Sequence, residues 1–175
     1  DVERVAKAIL SRHGRVDVLV NSAGLNVTSR FWKNQTVAGW NEVMRINLDG
    51  SYYCIAAVLP AMRERRDRLM INISSWSGRF DTYITVPAYN GAKHGVVAMT
   101  SHLNQEECVN GIRACAICPA EVATPIMEKR PVKPSAEDMA RERAVVAALQ
   151  DAAVGRVHLW QLAAAGAEEE QVGDQ

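Results

Sequence analysis

Val16-Asp17-Val18-Leu19-Val20-Asn21-Ser22-Ala23-Gly24 decides the fold of this 175-residue chain. The aliphatic residues of Val16 to Val20 read as a strand of a parallel sheet covered on both faces, and the strand runs directly into a turn of small residues. In open α/β sheets ligands gather at the carboxyl ends of the strands, where small residues such as Ala23 and Gly24 let a ligand approach the backbone. Upstream, Val2, Val5, Ala6, Ile9 and Leu10 mark one face of a helix that ends at His13 and Gly14. Downstream, Thr36 is the N-cap of a long helix reaching about Met62. The charged turn Arg63 to Arg68, read as a solvated connection, leads into a second strand, Leu69 to Ser74. A helix within Pro87 to Thr100 and a third strand, Ile112 to Cys118, follow. Strands alternating with helices predict an α/β chain built on a parallel sheet.

The chemistry centres on Tyr89-Asn90-Gly91-Ala92-Lys93. Tyr89 and Lys93 are four apart, hence on one helix face. A phenol with a reference pKa near 10 is about one part in a thousand ionised at pH 7, so moving a proton through it means closing a gap of roughly 4 kcal/mol. An ammonium about 4 Å away, at an effective dielectric of about 20, supplies a raw Coulomb energy of roughly that size, before the desolvation that opposes it. Such pairs are common on helix surfaces, and it is the surroundings that set this one apart. The second strand ends in Ser74 and Ser75, followed by Trp76, Ser77 and Gly78, and Asn47 is a polar amide on an apolar helical face.

Asn21 to Gly24, Asn47, Ser75 with Gly78 three later, Tyr89 with Lys93 four later, and Pro119 with Thr124 five later form an ordered set. Together they resemble the short-chain dehydrogenase/reductase family, over residues 1 to about 130. The resemblance implies a Rossmann-type doubly wound parallel sheet, here incomplete, with the family's first three strands and its glycine-rich phosphate loop absent. It implies an oxidoreductase that uses NAD or NADP to interconvert a secondary alcohol and a ketone by hydride transfer. Tyr89 is then the general acid or base. Lys93 lowers the pKa of Tyr89 and binds the nicotinamide ribose, Ser75 holds the substrate oxygen, and Asn47 anchors a water of the proton relay. Cofactor contacts are expected from Asn21, Ala23, Gly24, Tyr89, Lys93, Pro119, Val122 and Thr124. Two departures stand out: Ala120 replaces the glycine of the family's Pro-Gly, and Ser75 precedes Tyr89 by fourteen residues, one more than is usual. The extra residue falls in Arg79 to Val86, where the substrate pocket is expected, with Arg79 and Tyr83 as candidates for substrate recognition. The segment Lys129 to Ser135 is expected to form a lid.

Twenty acidic and twenty basic side chains leave no net charge, so neither nucleic acid nor an anionic membrane is an expected partner. No apolar run approaches the eighteen or more residues of a membrane span and Asp1 starts no signal peptide, which points to the cytoplasm. The expected partners are a small-molecule alcohol or ketone and, where the full domain is present, further copies of the chain. Among four cysteines, Cys115 and Cys118 have Cys-x-x-Cys spacing. Residues three apart on a strand point to opposite faces, and no second pair completes a zinc set, so no metal is expected. Residues 1–140 read as a partial Rossmann domain and 141–175 as an atypical helical or disordered tail. Two other readings stay open: a catalytically inactive fragment acting as an interaction module, and an extended-type nucleotide-sugar epimerase or dehydratase with a similar Tyr and Lys.

Overall fold

A computed structural model of the chain describes residues 1–81 and 85–120, with residues 135–137, 140 and 144 beyond them. The chain divides into two compact units, Asp1–Lys133 and Pro134–Gln175. The first holds, in order, α1 (Val2–His13), β1 (Val18–Asn21), α2 (Val37–Met44), a π-helical turn (Arg45–Asp49), α3 (Gly50–Arg65) and β2 (Arg68–Ile73). A short 3-10 turn (Trp76–Gly78), α4 (Val86–Glu107), a second 3-10 turn (Cys108–Asn110) and β3 (Ile112–Ile117) complete it. The three strands are parallel in the order β1-β2-β3, with Leu19 beside Met70 and Met70 beside Ala114. Their ends differ by one or two residues from the aliphatic runs, because pairing rather than hydropathy sets them. Asn21, expected in the turn, pairs with Asn72 as the last residue of β1.

The helix boundaries follow local chemistry. Gly14 closes α1 at φ 71°, its N–H donating to Leu10 O at 2.8 Å. Thr36 caps α2 by accepting from Gly39 N–H at 3.0 Å. The expected single helix from Thr36 to Met62 is instead two α-helices joined by the π turn, and α3 runs on to Arg65. Turns of this kind occur mostly as single insertions in α-helices, often at functional sites, and this one carries Asn47.

The main core joins Ala6, Ile55, Val58, Met62, Met70, Leu103 and Ile112, with Leu19 and Ala114 packed against it. Met62 and Met70 are fully buried, and side chains of this size contribute about 1.5–3 kcal/mol each when removed from water. A second cluster of Val43, Ala88 and Ala92, with Trp40 and Leu48 against it, packs α2 and the π turn on α4. The sheet departs from the two-sided burial expected of β1, since Val18 and Val20 are 50% and 54% exposed. The described helices α1, α3 and α4 pack on the face that carries Leu19, Met70 and Ala114, and neighbouring strand residues point to opposite faces.

A buried polar ladder crosses that core. Asn21 Nδ2 donates to Asn72 Oδ1 at 2.8 Å, Asn72 Nδ2 donates to Thr100 Oγ1 at 2.9 Å, and the Thr100 hydroxyl donates to Val96 O at 2.7 Å. The ladder ties β1, β2 and α4 together. The Arg63 to Arg68 turn is likewise more than a solvated link. Arg63 Nε lies 2.9 Å from Glu107 Oε2 and 3.1 Å from Oε1, with Nη2 also on Oε1, which joins the ends of α3 and α4. The buried Glu107 carboxylate also accepts from Asn110 Nδ2 at 2.8 Å, and the Arg63 guanidinium holds it below the usual carboxylate range. No described helix is long and apolar enough to cross a membrane, and no group of three or more His, Cys, Asp or Glu among the described residues is placed to hold a metal ion.

Candidate active site

Strands β1, β2 and β3 end side by side, so the segments after Asn21, Ile73 and Ile117 leave the sheet along one edge. Main-chain bonds lace the second segment to the third: Ser74 N–H donates to Ile117 O at 2.8 Å and Trp76 N–H to Pro119 O at 2.7 Å. Helix α4 comes very close to this edge at Gly78. A Cβ on Gly78 would lie 2.4 Å from Ser74 Oγ and 2.6 Å from Lys93 O, a space that only a glycine leaves open.

That approach brings in Lys93, whose residue is 3% exposed. Its Nζ donates to Ile73 O at 2.8 Å and stands 5.6 Å from the centroid of the Tyr89 ring, within cation–π range. Burial pulls the Lys93 pKa below the ordinary lysine value, with the neighbouring Cys118 acting in the opposite sense. Burial likewise pushes the Cys118 thiol up.

Asn47, 1% exposed, reaches the site from the π turn. Its Nδ2 donates to Leu25 O and to Val43 O, each at 2.8 Å, and its Oδ1 accepts from Leu25 N–H at 3.2 Å. The amide therefore fastens the segment after β1 to its own helix. Between the two sits Gly24, where a Cβ would lie 2.8 Å from Asn47 Oδ1 and 3.5 Å from Lys93 Nζ. Gly24, Asn47 and Lys93 thus meet at a point where the backbone is bare.

The remaining candidates divide into four groups. Ser75 stands at the end of β2, and its Oγ caps the 3-10 turn by accepting from Ser77 N–H at 3.2 Å. The Asn21 side chain is committed inside the sheet, to Asn72 at 2.8 Å and more loosely to Ser51 O at 3.5 Å. Ala23 is exposed beside Gly24, and Pro119 lies at the end of the third segment with its carbonyl accepting from Trp76 N–H. Val122 and Thr124 lie outside the described residues, as do Tyr83 and residues 129–134 of the expected lid.

Ser74, Asn72, Thr100 and Glu107 were not singled out by the sequence. Asn72 carries a legible signal, since an amide between Ile71 and Ile73 in an aliphatic strand must find a buried partner. Of the asparagines in the loop after β1, Asn26 Nδ2 reaches across to donate to Thr85 O at 3.0 Å, and Asn34 Oδ1 accepts locally from Phe31 N–H at 3.0 Å. A cleft of about 500 Å³ lies on another stripe of α4, against Pro87, Asn90, Gly91 and His94, and is walled by Phe31, Trp32, Asp81 and Val86.

The family pattern described as short chain dehydrogenase matches residues 1–135. The D-beta-hydroxybutyrate dehydrogenase of Rhizobium meliloti is 31% identical over 137 residues, covering 78% of this chain and 50% of that protein. The crystal structure of a short-chain dehydrogenase/reductase family oxidoreductase from Burkholderia thailandensis superposes with a TM-score of 0.67 at 36% identity, covering 74% of this chain and 50% of that one. A metagenomic short-chain oxidoreductase, solved in complex with NADP, superposes with a TM-score of 0.64 at 29% identity, covering 69% of this chain and 54% of that one. The chain spans about half the length of the curated relatives it matches. With the family pattern running from its first residue through β3, this chain belongs to the short chain dehydrogenase family, and its parallel sheet is of that family's Rossmann type.

Proposed function

We propose that the protein is an NAD(P)-dependent oxidoreductase that interconverts a secondary alcohol and a ketone, with Tyr89 as the acid or base. One observation carries the reading: a buried lysine ammonium, 2.8 Å from a main-chain oxygen, stands over the ring of the tyrosine one turn before it and against the bare backbone of Gly24. A dinucleotide needs open backbone at the strand ends and a hydrogen-bond donor for its ribose hydroxyls. Gly24 offers the first. Lys93 offers the second, because an ammonium has three N–H donors and the Ile73 carbonyl takes one of them. In this reading Asn21, Ala23, Gly24, Pro119, Val122 and Thr124 complete the cofactor contacts. Bound NAD or NADP supplies or accepts the hydride. The NADP complex and the hydroxybutyrate dehydrogenase among the relatives support this choice of cofactor and substrate class.

The chain's own residues handle geometry and protons. Tyr89 takes the alcohol proton in oxidation and returns one to the ketone oxygen in reduction. The Lys93 ammonium favours the phenolate, and its charge is less screened than a surface lysine's because water is kept from it. Ser75 donates its hydroxyl to the substrate oxygen and so orients the reacting carbon. Asn47 anchors the water that passes the proton to solvent, while its amide keeps Gly24 and the π turn in register.

Replacing Tyr89 with Phe in the full-length protein tests this. General acid–base steps are worth roughly a hundredfold to ten-thousandfold, so Tyr89→Phe loses turnover on that scale. It keeps its affinity for the cofactor, whose ribose contact comes from Lys93. Near-normal turnover in the Phe variant would sink the assignment.

A further inference from the structure

We propose that Ser74 is a positioning residue for the reaction: its hydroxyl pins the main chain of Lys93 while the adjoining Ile73 carbonyl receives the Lys93 ammonium. The end of β2 thereby holds this lysine at both ends. Ser74 is buried and its Oγ donates to Lys93 O at 2.9 Å, while Lys93 Nζ donates to Ile73 O at 2.8 Å. Lys93 lies well inside α4, where its carbonyl is already satisfied by the helix's own bonding. The serine bond is an addition, made by the hydroxyl of the residue that follows the strand. Gly78 closes on the same carbonyl, its missing Cβ falling 2.6 Å from Lys93 O and 2.4 Å from Ser74 Oγ, so strand end, turn and helix interlock at this residue.

The consequence is geometric. A lysine stem has four carbons and many rotamers, and fixing only its amino end leaves the helix beneath it free to shift. Fixing both ends leaves the ammonium one place, beside the Tyr89 ring and facing Gly24 and Asn47. Among the described residues, the titratable groups that face it are the Tyr89 phenol on its own helix and the Cys118 thiol just beyond β3. Without the Ser74 hydroxyl, α4 relaxes from the strand end and the ammonium moves toward water and away from the phenol.

The effect on turnover rests on the oxidoreductase reading, and the test keeps the two apart. The full-length protein, with a heavy carbon isotope at lysine Cε, is titrated by NMR as wild type, Ser74→Ala and Ser74→Cys. In the wild type the Lys93 signal titrates below the other lysines, since burial disfavours its charge. In Ser74→Ala its midpoint moves up toward theirs. Turnover falls roughly five- to tenfold, the worth of one buried hydrogen bond, and the limb of the pH profile that reports the base moves to higher pH. Ser74→Cys keeps a weaker donor and falls between, and it is read by the same criterion if the alanine variant does not fold. A Lys93 midpoint unchanged in the variants overturns the proposal. Wild-type protein that turns over no nicotinamide cofactor overturns the oxidoreductase reading instead, and the Lys93 titration then decides the role of Ser74 by itself.

Discussion

Gly24→Ala adds one methyl group where Asn47 and Lys93 meet. The new carbon would stand 2.8 Å from Asn47 Oδ1, too close for any real contact, and 3.5 Å from Lys93 Nζ, an ordinary one. A long, loose side chain would swing aside. Asn47 is tied by three hydrogen bonds, from Leu25 N–H at 3.2 Å and to Leu25 O and Val43 O at 2.8 Å, and two of the three involve the residue next to the substitution. Displacing the amide from Leu25 loses two bonds of about 1 kcal/mol each. Shifting the backbone instead is overpacking, which costs about 1–3 kcal/mol. Both routes give a loss of about 2 kcal/mol. Gly24 does not use the left-handed region, so backbone strain adds nothing. Gly91→Ala is the matched control: it sits within α4, its new Cβ would meet nothing nearer than Trp40 at 3.8 Å, and the gain in helix propensity is about 0.5–1 kcal/mol. Urea unfolding followed by tryptophan fluorescence measures both. Gly24→Ala within about 0.5 kcal/mol of wild type, a change typical of surface substitutions, would refute the reasoning.

Thr100→Val keeps the side-chain shape but removes the acceptor of the buried Asn72 amide, 2.9 Å away. It is expected to cost about 1–3 kcal/mol in the same unfolding assay, with Thr100→Ser costing less because it keeps the hydroxyl. The Arg63–Glu107 pair predicts a pH dependence. Arg63 depresses the Glu107 pKa in the folded chain, so the pair's contribution is fully present above the ordinary glutamate value of about 4.3 and is lost as pH falls through the depressed folded value. Thermal midpoints of wild type and Glu107→Gln therefore converge on acidification through that range, and a gap that stays constant would contradict the assignment.

The three strands and the helix containing Tyr89 and Lys93 were legible because aliphatic runs and helical spacing are local signals. So were the Thr36 and Gly14 caps, each written in one residue. The π turn was not, since nothing in Arg45 to Asp49 distinguishes a wider turn from an α-turn until its partners are placed. Arg63 and Glu107 look like surface charge in sequence because their pairing spans 44 positions. Val18 and Val20 looked buried because an aliphatic strand does not say which of its faces the helices will cover. At the site, sequence spacing placed Tyr89 beside Lys93 but said nothing of the Ile73 carbonyl that holds the ammonium. Ser74 was hidden beside Ser75, since two consecutive serines at a strand end look alike until one is seen to face a helix.

The most direct test of the central claim follows the hydride itself. The full-length protein is incubated with a panel of ketones and with NADH or NADPH carrying deuterium at the transferable position, and the products are read by mass spectrometry. The account predicts a secondary alcohol with one deuterium on its carbinol carbon, formed by the wild type and lost in Tyr89→Phe. No deuterated alcohol from any ketone, with a cofactor demonstrably bound, would contradict it.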